Sequence, residues 1–245
     1  MRLVLLSLFS IGLAASAQGD DAIAARDARR LKQGTFFYHD LEHGKEVGKS
    51  SITIRKLPDS GNYRFSNDAT FTAEFSGFHS QRWQAIATAD FAPVSAALEF
   101  VGETQPSPIF ELQYAGRRVH GFVVERKPST PPARRLIDDT ILQDTVDQRI
   151  DWAAAISGPL MAGGRLEFGV YDPNTGVSRV IERIGNRETI KTPAGAFSAI
   201  RIVYDVEKRG RVERYVVFTT REQPRVMIRE DFPNGVVTEL VAMSD

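Results

Sequence analysis

The chain has 245 residues, with 31 basic and 31 acidic side chains, four histidines and no cysteine. Charge this balanced excludes a global field that would steer the protein onto nucleic acid or anionic lipid. The missing cysteine excludes disulfides, thiol nucleophiles, zinc–cysteine sites and a lipidated N-terminal cysteine.

The chain opens with Arg2, an apolar run from Leu3 to Leu13 and the small-residue site Ala15-Ser16-Ala17. This reads as a secretory signal peptide over residues 1–17, because the apolar run is too short to span a bilayer. An exported protein beginning at Gln18, periplasmic or secreted, is therefore expected. The 245 residues less the 17 of the leader leave 228, enough to bury roughly 70–75% of the unfolded surface without a metal or disulfide. With Arg2 removed, the mature chain carries one more acid than base. No later segment approaches the ~20 apolar residues of a membrane helix. Nor does a long series of ~10-residue strands show the unbroken apolar outer face of a membrane barrel.

Residues 18–33 read as an N-terminal arm and residues 34–245 as a single β domain. From Gly34 onward, stretches rich in Val, Ile, Phe, Tyr and Thr alternate with turn residues. Period-two patterning is clean in three places. Trp83, Ala85, Ala87, Ala89 and Phe91 share one side, as do Phe110, Leu112 and Tyr114, and Ile200, Ile202, Tyr204 and Val206. Such alternation puts one face on a core and the other toward water. Ala115-Gly116, Asp172 to Gly176, Arg209-Gly210 and Pro233-Asn234-Gly235 supply turns. Short connections imply antiparallel neighbours. The expected fold is mainly β, an antiparallel meander forming a barrel or a curved half-barrel. One segment breaks the pattern: Val146, Ile150, Ala153, Ala154 and Leu160 recur at helical spacing. A helix over 146–157 is expected, capped by Thr145 and stopped by Gly158-Pro159. Just before it, Pro128, Pro131 and Pro132 mark a Pro-rich loop over residues 126–135.

Two polar clusters invite a chemical reading. His39 and His43, with Asp40, Glu42 and Glu46, would bind zinc on a helical face. In a strand they lie ~13 Å apart, and a polar hairpin turn is the simpler reading. Asp138, Asp139, Asp144, Asp147 and Asp151 could serve acid–base work or hold calcium, but lack the EF-hand pattern. Asp144 and Asp147 suit the start of a helix. No catalytic, cofactor or metal site is assigned, and no cofactor is expected. Tyr63, Phe65, Trp83, Phe110 and Tyr114 form a candidate apolar groove.

The C-terminal half, roughly residues 140–245, resembles a family of uncharacterised exported bacterial envelope proteins. The resemblance rests on Asp147, Ile150 and Asp151-Trp152-Ala153-Ala154, on Gly163-Gly164-Arg165-Leu166, and on Glu188-Thr189-Ile190. Its strongest element is the motif Thr192-Pro193-Ala194-Gly195-Ala196-Phe197, followed by Ile200-Arg201; Pro224-Arg225-Val226 and Asp231 to Gly235 complete it. The resemblance implies an envelope protein of curved antiparallel β architecture and carries no catalytic residues. The motif itself reads as structural, with Pro193 in a turn and Gly195 at positive φ. The leading expectation is a non-enzymatic envelope protein binding an apolar or amphipathic ligand, such as a lipid, inside its curved sheet. The alternatives are a secreted hydrolase using His39/His43 or the Asp138–Asp151 acids, and a protein or polysaccharide interaction module using a sheet edge.

Overall fold

The computed structural model describes residues 26–72, 79–101, 106–125, 131–208 and 210–244; the expected leader, residues 1–17, lies outside them. Among the described residues the alternating segments form fifteen strands. The first eight are β1 (Gly34–Glu42), β2 (Lys45–Lys56), β3 (Tyr63–Phe71), β4 (Ser80–Ala87), β5 (Pro93–Val101), β6 (Pro106–Ala115), β7 (Arg118–Glu125) and β8 (Ala133–Thr140). The remaining seven are β9 (Thr145–Asp147), β10 (Arg165–Asp172), β11 (Gly176–Thr192), β12 (Gly195–Lys208), β13 (Arg211–Thr220), β14 (Met227–Asp231) and β15 (Val236–Ser244). Of the Pro-rich loop expected over residues 126–135, residues 126–130 lie outside the described ones, and β8 begins at Ala133, so that strand replaces the last three expected loop residues.

All fifteen strands join one sheet, in the order β8-β7-β6-β5-β4-β3-β2-β1-β15-β14-β13-β12-β11-β10-β9. The chain starts in the middle, meanders to one edge, jumps to the other and meanders back, so that β1 and β15 pair. Every neighbouring pair is antiparallel except β9 with β10. The two edges face each other across a seam with no backbone ladder between them. Side chains stitch it: Tyr114 Oη donates to Asp147 at 2.5 Å, Tyr171 Oη to Asp139 at 2.6 Å, and Arg135 Nη2 to the Pro173 carbonyl at 2.7 Å. The sheet is thus a curved half-barrel rather than a closed one.

Inward positions follow the alternation. Phe36 and Tyr38, Ile52 and Ile54, Ala85 and Ala87, Phe110 and Leu112, and Ile200, Ile202 and Tyr204 all face the core. The Thr192-Pro193-Ala194-Gly195 motif closes the β11–β12 hairpin. Pro193 and Ala194 are its two turn residues, Gly195 adopts φ +131°, and Ala194 N–H donates to the Leu240 carbonyl at 3.3 Å. That bond ties the hairpin tip to β15.

The helical segment begins later than its periodicity suggests. Thr145 to Asp147 form β9, a 3₁₀ turn spans Gln148–Ile150, and α1 runs from Asp151 to Ser157. Val146 sits opposite Val170 in the parallel ladder. Pairing with the open edge of β10 satisfies backbone groups that a first helical turn would leave unbonded, and the β-branched Val146 suits it. Asp147 caps the turn in place of Thr145, accepting from Arg149 N–H at 2.9 Å. All seven residues of α1 are buried, so the helix lies inside the half-barrel, and it ends at Gly158 as expected.

One end of the interior is sealed. Ala28 and Leu31 pack into the core, and Arg30 and Arg225 donate to the Ser157, Ile156 and Gly158 carbonyls at 2.8, 2.7 and 2.5 Å. Two guanidinium groups thus satisfy the last carbonyls of α1. The other end of the helix faces an open cleft.

Candidate functional site: an aromatic cleft with three buried carboxyls

The concave face leaves a cleft of about 410 Å³ between the first turn of α1 and strands β1 to β5 and β12 to β15. Its aromatic wall is layered. Tyr204 on β12 stacks against Tyr215 on β13 with ring centroids 5.0 Å apart, and Phe232, after β14, meets Tyr215 edge-on at 5.9 Å. Trp152 from α1 and Trp83 from β4 face the same space. These are the two tryptophans of the chain. Ile52, Leu98, Met227 and Val236 add apolar surface, and the exposed Asn234 stands at the rim.

Three acids interrupt this wall: Asp40 on β1, Asp151 on α1 and Glu230 on β14. All are buried, with 8%, 8% and 5% of their surface exposed. Among the described residues each accepts one protein hydrogen bond. Thr238 Oγ1 donates to Asp40, Tyr204 Oη to Glu230, and Trp152 N–H to Asp151 at 2.7 Å. Among the described residues, none of the three has a Lys, Arg or His nitrogen within 4.0 Å. The nearby cations are engaged elsewhere: Arg149 with Asp147 at 2.5 Å and Asp172 at 3.3 Å, Lys208 with Glu213 at 3.0 Å.

A carboxyl taken out of water without a cation prefers its neutral form. Burial accordingly pushes Asp151 up to about 7 and Glu230 up to about 8, and raises Asp40. The hydrogen bonds from Tyr204 and Thr238 oppose this without reversing it. Near neutral pH Asp151 and Glu230 are therefore held close to the point between their neutral and ionised forms.

The residues singled out from sequence are dispersed. Of the five groove aromatics, Trp83 lines the cleft. Tyr63 and Phe65 are fully packed in the core, Phe65 against Phe91 at 5.8 Å. Phe110 lies under the Arg149 guanidinium at 4.5 Å, and Tyr114 bonds Asp147 at the seam. His39 contacts Glu239 at 3.4 Å and Glu46 at 3.7 Å, while His43 occupies the β1–β2 turn at φ 49°. Among the described residues no group of three His, Asp or Glu side chains is placed to hold a metal ion.

The acids from 138 to 151 point different ways. Asp138 pairs on the surface with Arg118 at 2.5 Å and His120 at 3.2 Å, and Asp139 accepts from Tyr171. Asp147 is fully buried between Arg149 and Tyr114, and Asp151 reaches the cleft. Sequence reasoning missed Trp152, Tyr204, Tyr215, Phe232 and Glu230 as site residues. A signal existed for Asp40: Phe36, Tyr38 and Asp40 alternate on one face of β1, so a charge was due inside.

Residues 35–241 match a family model described as protein of unknown function, DUF3108. A search of curated proteins finds no match. Among solved structures, a β-barrel-like protein of the domain of unknown function DUF1849 from Brucella abortus superposes with a TM-score of 0.55 at 8% identity, over 88% of this chain and 98% of that one. That similarity shows a shared fold. A candidate lipoprotein from Parabacteroides distasonis gives a TM-score of 0.41 at 11% identity, covering 90% and 99% of the two chains. No helix among the described residues is long and apolar enough to cross a membrane.

Proposed function

The chain belongs to the DUF3108 family, and we propose that it is an exported, non-enzymatic envelope protein that binds one amphipathic molecule in its concave cleft. The observation that carries this reading is the wall of Trp83, Trp152, Tyr204, Tyr215 and Phe232 around about 410 Å³ of open space, with polar groups set into it. Ligand sites are commonly apolar concavities with a few convergent polar groups, and this volume falls within their usual range of roughly 300–1,000 Å³. Export is supported by the leader-like residues 1–17. The His39/His43 and Asp138–Asp151 hydrolase alternatives draw less support, because those side chains do not converge on a common space.

The test is extraction of the protein purified from its own envelope, followed by mass spectrometry of the released small molecules. An amphipathic species recovered at about one per chain, absent from a mock purification, is the expected result. Recovery of nothing above the mock, together with failure of a dye sensitive to apolar pockets to bind the stripped protein, would contradict the reading.

A further inference from the structure

We infer that the guest's head group is a cation, an alkylammonium or quaternary ammonium seated between the Asp40, Asp151 and Glu230 carboxyls and the faces of the cleft's aromatic rings. This rests on the cleft being an amphiphile site and goes further by naming the charge of the occupant.

Two independent features converge on it. The first is the wall. Trp152, Trp83 and Tyr215 line one space, with Tyr204 stacked on Tyr215 at 5.0 Å between ring centroids. Aromatic enclosures of this kind attract ammonium groups, because the ring quadrupole presents its negative face to the cation. The second is a missing partner. Buried carboxyls are ordinarily paired with a cation or heavily hydrogen-bonded, yet these three come from separate elements, accept one protein hydrogen bond each and meet no cationic side chain among the described residues.

The surrounding charges are accounted for. Facing Asp151 are Asp147, Tyr204 and Tyr215, together with Lys208, held by Glu213, and Arg149, held by Asp147 and Asp172. Tyr204, Asp151, Asp231 and Asp40 face Glu230, and His39 and Glu46 face Asp40. Arg149, which lines the cleft, and Lys208 are thus both paired with other acids. An anionic head would have to enter beside three acids, whereas a cation supplies the charge they lack. Binding a cation should also pull protons off the carboxyls, so affinity rises with pH as they ionise.

The test uses the full mature protein and a set of dodecyl amphiphiles below their micelle thresholds: dodecyltrimethylammonium, dodecylphosphocholine, dodecanoate and dodecyl maltoside. Tryptophan emission is the readout, because both tryptophans line the cleft. The expected result is that dodecyltrimethylammonium binds about tenfold tighter than the maltoside or the dodecanoate. Its affinity should also increase several-fold from about pH 6 to about pH 8.5. Asp151→Asn and Glu230→Gln should each lower the preference for the ammonium over the maltoside several-fold. A cooperative thermal melt like the parent's shows that the variants are folded.

Dodecylphosphocholine binding as tightly as the plain ammonium assigns the head to a zwitterionic lipid. Weaker binding assigns it to a free amine or quaternary ammonium amphiphile. Equal affinity for ammonium, carboxylate and maltoside would overturn the cationic head while leaving the amphiphile site intact. Emission unmoved by all four would overturn both.

Discussion

Replacing Glu230 with glutamine should stabilise the protein, and by an amount that depends on pH. Glutamine keeps the shape of the side chain, and its carbonyl oxygen can accept the same hydrogen bond from Tyr204 Oη. What it removes is a group whose pKa is raised from 4.5 to about 8 by burial. Such a group binds its proton more tightly in the folded state. Its contribution to stability is therefore fully present below about pH 4.5, falls as pH rises through the interval to about 8, and levels off above it. At pH 7 the native state must hold a proton that the unfolded chain has released about 2.5 pH units earlier. At ~1.4 kcal/mol per unit this costs about 3 kcal/mol. Glu230→Gln should accordingly match the parent near pH 4.5 and exceed it by up to about 3 kcal/mol at pH 7. For a chain of this size that corresponds to a Tm rise of roughly 6–12 °C. Thermal melts of both proteins across this pH range, without ligand, are the assay. A variant destabilised by the same amount at every pH would show that Glu230 is ionised and needed as a carboxylate. Glu230 would then not be a neutral acid unpaired with any cation.

Other expectations follow from the backbone and the seam. Gly121, at φ +153° opposite Leu112, leaves no room for a side chain: a Cβ there would lie 2.0 Å from the Glu111 carbonyl oxygen. Gly121→Ala should cost about 3 kcal/mol or more, read as a fall in Tm or in the denaturant midpoint. At Gly195 a Cβ meets nothing within 4 Å, so only its φ of +131° is at stake. Gly195→Val should cost on the order of 1–3 kcal/mol without a selective effect on amphiphile binding; an unchanged Tm would show that this φ is not required. Tyr114→Phe removes the 2.5 Å bond to the fully buried Asp147 across the seam. It should cost about 1–3 kcal/mol, and hydrogen exchange should rise in β8 and β9 before the β1–β15 pair. Treatment with EDTA should leave Tm unchanged; a drop reversed by zinc or calcium would reveal a bound ion and revive the hydrolase alternative.

Much of the architecture is legible in the residues themselves. Alternation in 110–114 and 200–206 places the inward faces correctly, because a two-residue period leaves one register that buries the apolar set. Turns at Gly116, Gly176, Gly210 and Gly235 fall where the chain needs positive φ. The start of the helical segment is less legible. Val146 fits both a helical stripe and a parallel strand, and the choice is made by the open edge of β10, which is distant in sequence. The cleft is less legible still. Its members come from strands at both ends of the chain and from α1, and they meet only because the sheet curls and pairs β1 with β15. Tyr63, Phe65 and Trp83 look alike in sequence, yet only Trp83 sits near the open end. Glu230 carries no local mark at all, since Met227-Ile228-Arg229-Glu230-Asp231 does not reveal which face turns inward.

The central claim, that the concave cleft takes an amphiphile, is tested most directly by contact quenching of the two tryptophans. An alkyltrimethylammonium carrying bromine at its tail quenches indole emission only near van der Waals contact. Titrated below its micelle threshold, it should quench Trp83 and Trp152 saturably at one molecule per chain. Trp83→Phe and Trp152→Phe should each leave a quenchable residue, since both line the same space. Quenching that stays linear in probe concentration, with the slope of free tryptophan, would contradict a bound amphiphile in the cleft.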